Sequence, residues 1–169
     1  MSKAFVRESD DEPDPPVFSR QAASLPPGAK NYLTAGGERR LREELVQLAE
    51  VERPRLAGLN QDSETKRELQ ILSRRIRHLE QVLREAEVVP PGGPEDRVRF
   101  GATVTVREQN GSESEYRLVG AEETDVEQGR VSWQSPIAKS LLNARPGERV
   151  AFDSPSGRIE LEIVRLRYE

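Results

Sequence analysis

Two carboxylates, Asp62 and Glu64, are the side chains whose type and spacing best suit a chemical role. Carboxylate oxygens are preferred ligands of Mg²⁺, and two of them at an exposed position could add ligands to a magnesium ion held by another molecule. Aspartate and glutamate also favour the first turn of any helix, through capping and through the helix dipole. Capping and metal binding therefore stand as alternative hypotheses for this pair.

The remaining residues do not form a recognisable catalytic set. His78 is the single histidine, and it falls among charged residues of a predicted helix, where a histidine is usually solvated. The chain has no cysteine and no GxxxxGK[ST] loop, and Gly36-Gly37 precedes a helix without following a strand. An autonomous enzyme is therefore not indicated, although a magnesium site made only of carboxylates stays compatible with the spacing.

Two leucine-rich patterns predict the helices that would carry these carboxylates. Thr34 is a favourable N-cap for the first helix, and Pro54 within the pattern should remove one backbone hydrogen bond and kink the helix near Glu50. A second helix, capped by Asp62 or Ser63, has strict heptad spacing. The apolar positions are Leu41, Leu45, Leu48, Val51, Leu56 and Leu59 in the first helix and Leu69, Leu72, Ile76, Leu79, Leu83 and Ala86 in the second.

The connection between these helices, residues 60–63, is short, so the two apolar seams should pair as an antiparallel helical hairpin. Arms of roughly 25 residues would reach about 37 Å. Neither helix has enough apolar surface to be buried on all sides, so the hairpin should project into solvent. This arrangement places Asp62 and Glu64 at its free end.

Beyond residues 90–94, with the sequence PPGGP, the apolar period changes from helical to alternating, which predicts a β-rich domain. The pair Asn110-Gly111 predicts the turn of a β-hairpin. Ser135 followed by Pro136 should begin one short helix. The expected class is α+β: an N-terminal antiparallel helical hairpin, or coiled coil, and a C-terminal domain in which an antiparallel sheet packs on one short helix.

Composition completes the predicted domain organisation. Residues 1–31 should form a flexible, acidic and proline-rich extension, followed by the coiled-coil hairpin at 32–89, a linker at 90–97 and the C-terminal domain at 98–169. The formal net charge is -4, and no apolar run is long enough to span a membrane. We therefore expect a soluble, cytoplasmic, monomeric protein that contacts nucleic acid only indirectly.

Several motifs, in order along residues 32–169, resemble the Gre transcript-cleavage factors, GreA and GreB. In the N-terminal half these motifs are Tyr32-Leu33-Thr34, Leu41-Arg42-Glu43-Glu44-Leu45 and Glu52-Arg53-Pro54. In the C-terminal half they are Phe100-Gly101-Ala102, Tyr116-Arg117-Leu118-Val119-Gly120, Ser135-Pro136-Ile137-Ala138 and Ser154-Pro155-Ser156-Gly157. The ordered series over most of the chain is a specific signal, whereas any one motif alone would be weak.

The resemblance implies an FKBP-like C-terminal domain without prolyl isomerase activity, docked at the rim of the secondary channel of bacterial RNA polymerase. It also implies that the coiled coil enters that channel. In cleaving members, acidic tip residues help to hold the second catalytic Mg²⁺ of the polymerase, which itself cuts the backtracked RNA. The factor is then at most a cofactor, and it holds no metal alone.

For the four residues Ser135, Pro136, Ile137 and Ala138, the resemblance implies a place at the docking surface. The alternative role for the same four is helix capping and core packing.

The tip departs from the family pattern. The sequence Leu59-Asn60-Gln61-Asp62-Ser63-Glu64 replaces a longer acidic tip, and the hairpin is shorter by about a dozen residues, which removes about 9 Å of reach. We therefore expect a Gre-like regulator that modulates elongation or initiation without strong cleavage. One alternative is an active cleavage cofactor that supplies Asp62 and Glu64 to the polymerase magnesium; another is a regulator of a metabolic enzyme, or a prolyl isomerase.

Overall fold

The computed structural model describes residues 28–59, 62–94 and 96–168. Most of the predicted extension at 1–31 lies outside these residues, so its flexibility stays a prediction. The described chain forms a helical hairpin, closed at its base by a two-stranded sheet, and a five-stranded sheet with one covering helix. Within the described part of the chain, no helix is both long and apolar enough to cross a membrane.

The first arm of the hairpin contains α1 (Ala35–Val46), a π-helical segment (Gln47–Glu52) and α2 (Arg53–Ala57). In the π-helical segment the Arg53 N–H donates to the carbonyl of Leu48, five residues earlier. Pro54 follows directly and has no N–H of its own, so the wider turn accommodates the missing bond. The predicted loss of a helical hydrogen bond is thus accommodated by a π-helical segment that includes Glu50, and the predicted kink stays a prediction.

The π-helical segment changes which apolar residues of the first arm face its partner. Leu41 and Leu56 are buried, but Val51, predicted as part of the same seam, is 48% exposed. A π-helical turn contains an extra residue relative to an α-helical turn, so it shifts the phase of the residues around it. The predicted apolar stripe is thus interrupted at Val51 and resumes at Leu56.

The second arm is the single helix α3 (Ser63–Glu85), which buries Ile76, Leu79 and Val82. Val82 lies outside the predicted heptad seam. An α-helix of 3.6 residues per turn drifts by about 20° per heptad from a 3.5-residue repeat, which brings this position towards the first arm near the end of the helix.

A parallel pair of short strands closes the base of the hairpin. Strand β1 (Tyr32–Thr34) precedes α1, and β2 (Glu87–Val89) follows α3. Leu33 lies opposite Val88 in this pair. Parallel strands need a long crossover connection, and here the whole hairpin supplies it.

The C-terminal sheet has five strands in the order β5-β4-β3-β7-β6. The strands are β3 (Ala102–Glu108), β4 (Glu113–Val119), β5 (Arg130–Ser132), β6 (Arg149–Ser154) and β7 (Gly157–Tyr168). The α+β class is confirmed, but the prediction of a purely antiparallel sheet is wrong for one pair, since β4 and β5 are parallel. Residues 120–129, with two 3-10 turns, carry the chain back to the level of Arg117, so β5 runs in the same direction as β4.

The short helix α4 (Pro136–Leu141) covers one face of this sheet. Its side chains Ile137, Ala138 and Leu141 lie in one apolar cluster with the inward-facing residues of the strands. The buried residues of the hairpin form another cluster, centred on Leu33 and Leu79. The hairpin and the sheet domain thus have separate apolar cores.

Candidate functional site

The two candidate carboxylates lie at the start of α3, at the far end of the hairpin from β1 and β2. Asp62 is the N-cap of this helix, and its Oδ1 accepts a 2.8 Å hydrogen bond from the backbone N–H of Thr65. Glu64 lies in the first turn, where a negative charge is favoured by the helix dipole. Both side chains are exposed. The capping role of Asp62 is therefore observed, and a metal role stays a proposal.

Whether this chain binds a metal at the tip stays a prediction. Among the described residues, no group of three or more histidine, cysteine, aspartate or glutamate side chains is arranged to hold a metal ion. Asp62 and Glu64 can therefore offer only part of the oxygen-ligand set that Mg²⁺ requires. A magnesium ion at this position would need its remaining ligands from another molecule.

The cap makes a testable prediction about pH. The backbone N–H of Thr65, followed by its side chain, lowers the pKa of Asp62 below the ordinary value of 3.8. A carboxyl with a lower pKa in the folded state contributes stability above its unfolded pKa and loses it as the pH falls through the folded pKa. We therefore expect Asp62→Ala to lower the melting temperature at neutral pH and this difference to shrink as the pH falls below 3.8.

Thermal unfolding followed by circular dichroism over a pH series measures this difference. Asp153→Ala is the matched control, because Asp153 is an exposed aspartate on β6 that caps no helix. A penalty for Asp62→Ala that stays constant down to strongly acidic pH would contradict the capping account.

The four residues predicted at a docking surface divide into two pairs. Ser135 is the N-cap of α4, and its Oγ accepts a 3.3 Å hydrogen bond from the Ala138 N–H, while Pro136 is exposed. Ile137 and Ala138 are 1% and 0% exposed in the sheet-domain core. A partner docked here would thus contact Ser135 and Pro136. Ile137 and Ala138 would hold these two residues in place by packing in the core beneath them.

A buried carboxylate, Glu123, joins the hairpin to the sheet domain. Its Oε2 accepts hydrogen bonds from the backbone N–H groups of Thr34, at 2.8 Å, and Gly120, at 3.1 Å. Its Oε1 accepts the hydroxyl of Thr34 and lies 3.4 Å from Nη2 of Arg40. The side chain is 1% exposed. Four donors from two parts of the chain therefore surround one buried charge.

A second set of charges lies beside this contact and is more exposed. Glu122 places its Oε1 2.8 Å from Nε2 of His78 and its Oε2 3.6 Å from Nη1 of Arg75. Arg75 also forms a bidentate ion pair with Glu44 on the first arm. Its Nε donates to Oε1 at 2.7 Å and its Nη2 donates to Oε2 at 3.0 Å. These bonds, led by the side-chain hydrogen bond to Glu44, raise the pKa of Arg75. His78, expected to be simply solvated, thus contacts the sheet domain.

One aromatic residue of β1 reaches the sheet domain as well. The ring of Tyr32 lies 5.6 Å from the ring of Phe100 and 5.3 Å from that of Trp133, between ring centroids. These tilted and edge-on arrangements are favourable for aromatic pairs. We call the set of Tyr32, Glu122 and Glu123 with their partners the junction.

Sequence reasoning missed the junction. Its central pair, Thr34 and Glu123, is separated by 89 positions in the chain. Consecutive glutamates after a strand are usually solvated, and a local pattern does not show that one of them is buried. The sequence signal that could have indicated a close contact was the pair of glycines Gly37 and Gly120, because glycine permits close approach of the backbone. A glycine does not, however, identify the residue that approaches it.

Comparison with known proteins bears on this two-part arrangement. Residues 93–168 match the family described as transcription elongation factor GreA/GreB, C-terminal. A transcription elongation factor GreB of Neisseria meningitidis serogroup B is 40% identical over 154 residues, which cover 82% of this chain and 94% of that relative. The chain belongs to the GreA/GreB family.

Two further proteins are similar over a comparable share of the chain. A transcription elongation factor GreA of Alkalilimnicola ehrlichii is 38% identical over 156 residues, covering 83% of this chain and 99% of the relative. The solved structure of GreA factor homolog 1 (Gfh1) of Thermus thermophilus is 25% identical, covers 82% of this chain and 99% of that chain, and has a TM-score of 0.40. The predicted resemblance to the Gre factors is confirmed, and the protein is a transcription elongation factor of the Gre type.

Proposed function

We propose that this Gre factor binds bacterial RNA polymerase at the secondary channel, as a monomer, with the hairpin inserted and the sheet domain at the rim. The hairpin carries this proposal. Its hydrogen bonds and ion pairs to the sheet domain come from Thr34, Arg40, Arg75 and His78, in the half nearest that domain. About 18 Å of α3 extends from Arg75 to the first residue of the helix, a length available for insertion.

The tip chemistry favours regulation of elongation or initiation over strong stimulation of cleavage. Asp62 uses Oδ1 to cap α3, and the shortened tip departs from the acidic sequence of cleaving Gre factors. A catalytic group that is misplaced by about 1 Å can already lower the reaction rate about a hundredfold. On this proposal the protein is at most a cofactor, and any RNA cleavage is performed by the polymerase.

Competition for the channel tests this function. We expect the protein to co-purify with core polymerase and to reduce the RNA cleavage stimulated by an authentic cleavage factor roughly tenfold when it occupies about 90% of the polymerase, because both factors require one channel. The measurement is the shortening of labelled RNA in stalled elongation complexes. Full cleavage at saturating concentrations of this protein would exclude the shared site.

The same assay without a second factor tests the alternative, an active cleavage cofactor. Magnesium-dependent shortening of RNA by this protein alone, lost in the double variant Asp62→Asn, Glu64→Gln, would favour the alternative. Asparagine keeps the helix cap while removing the charge, so the variant isolates metal chemistry from capping. Glu68→Gln on the same helix is the matched control, because it removes one exposed carboxylate outside the tip.

A further inference from the structure

We propose that Glu123 is a positioning residue, whose buried carboxylate fixes the direction in which the hairpin leaves the sheet domain. The consequence for transcription rests on the proposed insertion into the polymerase channel. The orientation itself is a property of the free protein and can be measured without polymerase.

The carboxylate acts as an extension of the cap of α1. The Thr34 hydroxyl accepts a 2.9 Å hydrogen bond from the Gly37 N–H and donates to Glu123. The same carboxylate accepts the backbone N–H of Thr34, just before the helix, and the N–H of Gly120 in the sheet domain. The start of the hairpin and the loop after β4 therefore share one acceptor group, which leaves little freedom in the angle between them.

The separate cores make this polar contact decisive for orientation. Apolar burial is non-directional, and aromatic pairs are favourable in several offset and edge-on geometries, so packing Tyr32 on Phe100 and Trp133 is compatible with a range of angles. Among the described residues, the buried apolar clusters of the hairpin and of the sheet domain share no member, so neither cluster spans both parts. Hydrogen bonds weaken steeply when their angles change. Three bonds to Glu123 come from Thr34 and Arg40 of the hairpin, and the Gly120 N–H holds the carboxylate within the sheet domain, so together they select one angle.

Two glycines make the junction sterically tight. A Cβ atom at Gly37 would overlap the Glu123 carboxylate, and a Cβ atom at Gly120 would overlap the carbonyl oxygen of Tyr32. Close-packed surfaces of this kind resist small rotations, because neighbouring atoms are already in contact. The steric fit and the hydrogen bonds therefore support the same single orientation.

The neighbouring ion pairs of Glu122 are weaker candidates for this role. The Glu122 side chain is 17% exposed and its partners Arg75 and His78 are 38% and 48% exposed, whereas the Glu123 side chain is 1% exposed and accepts two backbone N–H groups. Exposed ion pairs contribute little, since water and salt screen them. Glu122 supports the junction, but Glu123 determines its angle.

The length of the hairpin amplifies any change at its base. From Ala35 to the tip the arm extends about 35 Å, so a rotation of 10° at the junction would move the tip by about 6 Å. A movement of that size exceeds the separations of about 3 to 4.5 Å at which hydrogen bonds and apolar contacts form. Loss of the Glu123 contact should therefore disturb insertion even when both parts of the protein stay folded.

Glu123→Gln tests this proposal in the full chain. The amide keeps the size of the side chain but replaces one acceptor oxygen with a donor, so it cannot accept all four bonds. The natural chain has no cysteine, so Lys66→Cys on α3 and Arg158→Cys on β7 can carry a pair of spin labels. We expect a narrow distance distribution in the parent and at least a twofold broadening with Glu123→Gln. Glu113→Gln, which removes a charge within the sheet domain, is the matched control and should leave the width unchanged.

A second pair of variants separates positioning from general damage. Thr34→Val removes the hydroxyl at nearly constant size and should broaden the distribution, whereas Thr34→Ser keeps the hydroxyl and should preserve the narrow one. If Glu123→Gln does not fold, as judged by circular dichroism, the Thr34 pair decides the question. Equal widths for Thr34→Val and Thr34→Ser, or no broadening with a folded Glu123→Gln, would overturn the proposal.

Competition on polymerase supplies the functional readout. We expect folded Glu123→Gln to need about ten times more protein than the parent for half-maximal competition, with Glu113→Gln unchanged. A broadened distribution with unchanged competition would overturn the link between orientation and insertion. If the parent itself does not compete, the proposed channel function fails, while the distance measurements still decide the role of Glu123.

Discussion

We expect Gly37→Ala to lower the free energy of unfolding by about 3 kcal/mol or more, because its methyl group would displace the buried Glu123 carboxylate. Gly36→Ala, one position earlier in the same helix, should be neutral or stabilising by up to about 1 kcal/mol, since alanine is the better helix former. The Cβ atom at Gly36 would lie 3.4 Å from the flexible Arg40 guanidinium, which can move. Two neighbouring glycines should therefore respond oppositely.

Urea unfolding of the two variants and the parent measures this difference, provided that the slope of free energy against denaturant stays constant. The pair controls for helix propensity and for backbone position, because both residues lie in the first turn of α1. A loss for Gly36→Ala as large as that for Gly37→Ala would show that the helix, and not the contact with Glu123, is responsible. An unchanged Gly37→Ala would mean that the carboxylate is readily displaced.

The second large effect is expected in the core of the hairpin. Leu79 is fully buried between the arms, in one cluster with Leu33, Leu41 and Val82. Leu79→Ala removes buried apolar surface and leaves a cavity, a change that costs about 3 to 5 kcal/mol at well-packed positions. The same cluster includes Leu33 of β1, at the base of the hairpin. We therefore expect the variant to stop competing with an authentic cleavage factor for polymerase as the temperature approaches its lowered melting temperature.

Ile71→Ala is the matched control on the same helix. Ile71 is 59% exposed, so its truncation should change stability by no more than about 0.5 kcal/mol. Chemical unfolding followed by circular dichroism compares the two variants directly. A small effect at Leu79 together with a larger one at Ile71 would indicate that the arms pair in a different register.

Local patterns in the sequence were sufficient to predict the elements that carry the candidate site. The N-caps Thr34, Asp62 and Ser135 each accept the expected backbone hydrogen bond, because capping depends on residues three positions apart. The heptad spacing of α3 likewise predicted the burial of Ile76 and Leu79, but not that of Thr65 and Val82. The position of Asp62 and Glu64 at the start of α3 followed from the predicted helices and their short connection.

Other features could not be predicted because they depend on backbone geometry that the apolar pattern does not specify. The parallel pairing of β5 with β4 arises from the path of residues 120–129, and the exposure of Val51 arises from the π-helical segment before Pro54. Neither is encoded in a short pattern of apolar residues. Ile137 and Ala138 illustrate a related difficulty, since a motif shared within a family does not distinguish a surface residue from one that supports the surface.

By itself, the sequence determined the family, the α+β class, the helical hairpin and the carboxylates at its tip. These properties depend on periodicity, capping and ordered motifs, which act over a few residues or are read in order along the chain. Only the tertiary structure decided how the hairpin is held. The hairpin is held through the contact between Glu123 and Thr34, which are 89 positions apart in the chain. A carboxylate can be buried only where folding brings hydrogen-bond donors around it, and a local sequence pattern does not show those donors.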